Sequence, residues 1–117
     1  MFYILINEQG IIAHKVSEML TLWPMLSLVF TENEIACIKI QIACYYGYSD
    51  RTIVMVCRHK SLTKDCEQTC YTFGGDVLYG QILVLAKNDN NDFALLSPEQ
   101  VEIVKRETKL IRKSEEI

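Results

Sequence analysis

RTIVMVCR, residues 51–58, is the stretch on which the fold turns. Ile53, Val54, Met55 and Val56 form an unbroken apolar run, preceded by the turn-forming GYSD at 47–50. A strand with one wet face alternates apolar and polar residues, so a run without alternation predicts a central strand covered on both faces. Its partner lies just upstream. From Ile35 to Tyr46, Ile38, Ile40, Ile42 and Cys44 alternate with Lys39, Gln41 and Ala43, which predicts a strand joined to 51–58 through the turn.

Working outward, FYILIN (2–7), EQG (8–10) and IIAHKV (11–16) read as a hairpin with Gly10 closing its loop. Residues 59–76 carry no sustained period and end in FGGD. VLYGQILVLAK (77–87) reads as one further strand, in which Gly80 marks a bulge. NDNND (88–92) is a turn, and FALL (93–96) a short last strand.

Two segments have helical character. Ser17 suits the N-cap of SEMLTLWPMLSLVF (17–30), and Pro24 lacks a backbone N–H, which predicts a break near Trp23. SPEQVEIVKRETKLIRK (97–113) carries stronger signals. Ser97 caps, Pro98 fills the first helical position and Gln100 completes a Ser-x-x-Gln capping box. Val101, Val104 and Ile111 line one face, with Ile103 and Leu110 beside them, which predicts a helix docked on the sheet. Strands that follow strands without regular helical crossovers predict an α+β fold: a mostly antiparallel sheet of about five to six strands, an N-terminal helical segment and a docked C-terminal helix, in a single domain spanning 1–117.

Fifteen acidic and twelve basic residues give a formal charge of −3, the opposite of the basic concentration that tracks a phosphate backbone, so no direct nucleic-acid contact is expected. The start MFYILINEQG lacks the basic, apolar and small-residue succession of a signal peptide. The apolar run from Leu20 to Phe30 is interrupted by Thr21, Pro24 and Ser27 and is too short to span a membrane. A cytoplasmic setting with reduced thiols is expected, and five cysteines, an odd number, fit that better than a disulfide framework.

The densest candidate chemistry is CRHKSLTKDCEQTC at 57–70. Cys57, His59, Cys66 and Cys70 supply the four ligands of a closed zinc site. Their spacing is not that of a zinc knuckle, and Cys57 falls within the predicted strand, where a buried thiol above a polar loop is the plainer reading. Cys66 and Cys70 are four apart, not three as in thioredoxin-type pairs, and Asp65 and Glu67 beside Cys66 disfavour a thiolate. His14 and His59 are the only histidines available as bases for a cysteine nucleophile, and no motif surrounds any of the five cysteines. FGGD lacks the spacing and the Lys-Ser/Thr of a phosphate loop, and NDNND lacks the glycine and glutamate of a calcium loop. No enzyme and no cofactor is expected.

CYYGYSDR at 44–51 is the alternative focus. Tyr45, Tyr46, Tyr48 and Arg51 belong to residue types enriched in binding interfaces, and Arg58, Phe73 and Tyr79 extend the set. Either they are ordinary tyrosines at a strand end, or they form a contact surface at one end of the sheet.

The last third, FGGDVLYGQILVLAKNDNNDFALLSPEQVEIVKRE, resembles the ending of small uncharacterised proteins encoded by phages and plasmids. Gly80 before the apolar Ile82 to Leu85, the turn Asn88 to Asp92, then Phe93, Leu96, Ser97 and Glu99 carry the resemblance. It implies no catalytic residue. It implies a mobile-element accessory protein, a kind that often binds a host factor. With no catalytic site and a tyrosine-rich strand end on an acidic domain, the expectation is an accessory or counter-defence protein that binds a host protein stoichiometrically, for example as an inhibitor of a CRISPR effector nuclease. The alternatives are a protein that sequesters a nucleotide signal in a pocket between protomers, and a metal- or thiol-dependent protein using Cys57 to Cys70. No membrane partner is expected, and self-association into a homo-oligomer stays open.

Overall fold

The computed structural model describes residues 1–7, 9–16, 42–58, 68–71, 75–90 and 92–111. The central apolar runs settle into two adjacent antiparallel strands, β4 (Ile53–Arg58) and β7 (Ile82–Lys87). β3 (Ile42–Tyr45) pairs with β4 on one side. On the other side β1 (Phe2–Asn7) pairs with β7, and β2 (Gly10–Lys15) pairs with β1. The order is therefore β2-β1-β7-β4-β3, with β8 (Phe93–Ala94) added to the end of β7. Every pairing is antiparallel.

The unbroken apolar runs are explained by burial on both faces. Ile53, Met55, Ile82 and Val84 point to one face, Val54, Val56, Leu83 and Leu85 to the other, and all eight are fully buried. At about 1.5–3 kcal/mol for each such side chain, this double layer is a principal source of stability. Ile4 and Ile6 extend the first face, while Tyr3, Leu5 and Phe93 flank the second.

The first face is covered by a small second sheet and a helix. The sheet runs β6-β5-β9, from β6 (Val77–Tyr79), β5 (Gln68–Tyr71) and β9 (Lys109–Leu110), and contributes Cys70 and Leu78 to the first core. Helix α1 (Pro98–Glu107) contributes Val101 and Val104. Its start follows the sequence expectation in detail: the Ser97 hydroxyl accepts from the Gln100 N–H at 3.2 Å, and the Gln100 side chain accepts from the Ser97 N–H at 2.8 Å.

Four expectations are corrected or bounded. The helix ends at Glu107 instead of continuing to Lys113, because Thr108 turns extended (φ −72°, ψ 126°) and Lys109–Leu110 pair with Tyr71 and Cys70. The run 77–87 is not one bulged strand. Gly80, at φ +73°, lets the chain leave the small sheet at Tyr79 and enter the large one at Ile82. Residues 68–71, read as part of an aperiodic stretch, form β5, the middle strand of the small sheet. Among the described residues the strands therefore make two sheets, the larger with six. The helical segment expected at 17–30 and the first part of the strand expected at 35–46 lie outside the described residues.

The hairpin holds as expected, in register from Phe2↔Lys15 to Asn7↔Gly10. The Asn7 Oδ1 accepts from the Gln9 N–H at 2.8 Å, and Gly10 takes φ +123°, a conformation that disfavours other residues. The chain turns after Asn88, whose Oδ1 accepts from the N–H groups of Asn90 and Asp92, both at 3.0 Å. Among the described residues no helix is long and apolar enough to cross a membrane.

Candidate binding surface

The tyrosines of 45–48 do not share a surface. Tyr45 lies opposite Met55 and is half-buried against the first core, where burial raises its phenol above the ordinary range. Tyr46 follows the end of β3 and is exposed, at 55% of its area. Beyond Gly47 the chain leaves the strand, and Tyr48 turns into the core with 4% exposed. Its hydroxyl lies 2.8 Å from the Thr108 Oγ1, and burial pushes the phenol far above its ordinary value of 10.0. Tyr48 is therefore a core anchor and is not available as an interface residue, because its polar tip already has a partner inside the fold.

Arg51 is exposed in the turn between β3 and β4. Arg58 sits at the other end of β4, opposite Ile42, and so is not beside that turn. Tyr79 is half-buried in the small sheet opposite Gln68, and Phe73 lies outside the described residues. Of the residues singled out in the sequence, Tyr46 and Arg51 remain exposed at the turn end of the sheet.

Two residues not among the candidate binding residues complete that end. Strand β7 finishes with Lys87, whose N–H donates to the Thr52 carbonyl at 2.7 Å. The turn at 88–92 then sets Phe93 opposite Lys87. The Lys87 Nζ lies 5.8 Å from the Tyr46 ring centre and 5.5 Å from the Phe93 ring centre. An ammonium this close to two rings is attracted by their quadrupoles, by about 0.5–1 kcal/mol per contact at an exposed position. Cys44, exposed as a residue, lies on the same face; desolvation of its sulfur raises the thiol, and Lys87 pulls in the opposite direction. Tyr46, Lys87, Phe93 and Cys44 thus form a patch with two rings, a held cation and a thiol on the second face.

The turn behind this patch is tied to α1. The Ser49 N–H donates to the Glu107 carboxylate at 2.8 Å, and the Ser49 hydroxyl donates to the same group. The Thr52 Oγ1 donates to Asp50 at 2.5 Å and accepts from the Gln100 Nε2 at 2.8 Å. The patch therefore rests on a braced loop, which lowers the ordering cost of contacting a partner.

The sulfur-rich stretch is divided by the fold. Cys57 and Cys70 both point into the first core, 1% and 0% exposed, and burial pushes both thiols up to about 12. Such thiols are poor nucleophiles and poor thiolate ligands. His59 and Cys66 lie outside the described residues, and among the described residues no three His, Cys, Asp or Glu side chains gather as a metal site. His14 is stacked on Tyr3, ring centres 4.8 Å apart.

Comparison of the chain with protein-family models, with curated proteins and with solved structures finds no match.

Proposed function

We propose that this is a non-enzymatic binding protein that occupies another protein through the end of the sheet formed by Tyr46, Lys87, Phe93 and Arg51. The observation that carries this reading is the exposed Tyr46 ring with the Lys87 ammonium between it and Phe93. Tyrosine is among the residue types enriched at interface hot spots, and the Lys87 ammonium partly pre-positions this one. The buried, high-pKa thiols of Cys57 and Cys70 give no support to a thiol mechanism at those positions. The likeness of the last third to phage and plasmid proteins favours a host protein as the partner, such as a defence nuclease. On this reading the chain acts stoichiometrically.

The test is capture of partners from host lysate by the parent, Tyr46→Ala, Lys87→Ala and, as a control on the core, Tyr48→Phe. Tyr46→Ala should melt as the parent does and lose about 1–3 kcal/mol of affinity, roughly tenfold or more in Kd. Arg51→Ala should slow association and reduce its salt dependence more than it changes dissociation. If the Tyr46 and Lys87 variants both retain every partner of the parent at unchanged affinity, the surface lies elsewhere.

A further inference from the structure

The edge of the large sheet remote from β3 has its own chemistry. Among the described residues β2 ends the strand order, and its pairing with β1 is unbroken at every position from Gly10 to Lys15. The Val16 N–H donates to the Met1 carbonyl at 2.8 Å, and alternate residues of a strand turn their backbone groups the same way. Gly10, Ile12 and His14 therefore bond to β1, and the N–H and C=O groups of Ile11, Ala13 and Lys15 point outward. Sheet edges are commonly blunted by proline, by a bulge or by charge. GIIAHK has no proline, its register has no bulge, and its one lysine stands at the end. Ile12 meanwhile keeps 36% of its area exposed on the second face.

We propose that β2 pairs antiparallel with the β2 strand of a second copy of this chain, about a two-fold axis through Ala13. A two-fold axis normal to the sheet keeps each face continuous and sets residues of equal parity opposite one another. Centred on Ala13, the register places Ala13 against Ala13, Ile11 against Lys15 and Ile12 against His14 of the other copy. Every outward backbone group of β2 then finds a partner. The lysines meet isoleucines and not each other, so the strand does not repel its own copy. Centring on Ile12 instead would leave Lys15 unpaired at each end. The exposed Ile12 is covered by the imidazole side of the neighbouring Tyr3–His14 stack. The resulting sheet is continuous through both copies, with β3, the other end of the described strand order, farthest from the axis in each.

Two measurements test this. Sedimentation and light scattering over a concentration series should show a monomer–dimer equilibrium. Hydrogen exchange of the parent should show protection of the Ile11, Ala13 and Lys15 amides that rises with concentration, while the Ile12 and His14 amides, bonded to β1, stay constant. Ile12→Lys, which places a cation beside His14 of the other copy at an exposed position, should raise the dimer Kd roughly tenfold or more without altering the circular dichroism. A monomer mass throughout the series overturns the proposal. So does fast, concentration-independent exchange at those three amides, which is read on the parent even if the variant fails to fold. A dimer left intact by a folded Ile12→Lys also overturns it.

Discussion

The hydroxyl of Tyr48 meets the hydroxyl of Thr108 at 2.8 Å, joining the turn after β3 to the residue that ends α1, 60 positions away. One is a core residue from the tyrosine-rich stretch, the other the C-cap of the helix. The contact sits where the helix stops: Thr108 is extended while its N–H still donates to the Val104 carbonyl at 3.0 Å.

Replacing Tyr48 by Phe keeps the ring in the core and removes that bond, so stability should fall by about 0.5–1.5 kcal/mol. Thr108→Val leaves a buried phenol without a partner and should cost about 1–3 kcal/mol. Urea denaturation of both single variants and the double variant checks this. The double variant should be less destabilised than the two singles added, since they share one contact.

Val104 is fully buried against the first face of the sheet. Val104→Asp should destabilise by about 3 kcal/mol or more, since an unpaired carboxylate would be forced among apolar side chains. An unchanged thermal midpoint would show that α1 is not docked in solution.

Glu107 is held below its ordinary carboxylate value of 4.5, first by the Ser49 hydroxyl and then by the Ser49 N–H. A carboxyl whose pKa is lower in the folded state contributes stability that is present above the unfolded value and is lost as pH falls through the folded one. The parent should therefore lose stability progressively as pH drops below 4.5. Glu107→Gln should flatten that part of the profile and leave the neutral-to-alkaline part parallel, measured by urea midpoints across pH.

Cys44 is exposed, whereas Cys57 and Cys70 are buried with thiols pushed up to about 12. Alkylation followed by peptide mass spectrometry should label Cys44 before Cys57 and Cys70, and those two only at the rate of unfolding. Chelation should leave the thermal midpoint unchanged. A fall in the midpoint, with stoichiometric zinc by elemental analysis, would restore Cys57, His59, Cys66 and Cys70 as ligands.

What could be read in the sequence was what local chemistry decides. Ile53 to Val56 announced a doubly covered strand because nothing polar interrupts it, and Ser97, Pro98 and Gln100 placed the helix start because a cap is built from neighbours. The helix end was not legible, since it depends on Tyr71 and Cys70 offering an edge to Lys109 and Leu110. Nor could Gly80 say whether it bends one strand or passes the chain between two sheets; both need the same permissive backbone. At the candidate surface, Tyr46 was legible and Tyr48 misleading, because strand alternation stops at Tyr45. For Lys87 and Phe93 the signal lay in the turn between them. Pairing across the NDNND turn brings them together.

The partnership of β1 with β7, Ile4 facing Val84, has a consequence for synthesis. The apolar ribbon of β1 and β2 leaves the ribosome long before its sheet neighbour exists. At about 5–20 residues per second, the interval from Asn7 to Ile82 is roughly 4–15 s. Through that time the inner faces of Ile4 and Ile6 have no permanent cover, and an isolated two-stranded ribbon is marginal in water. Translation speed through the middle of the message, and the chaperones that meet the nascent hairpin, would then decide how much of this chain reaches its native sheet.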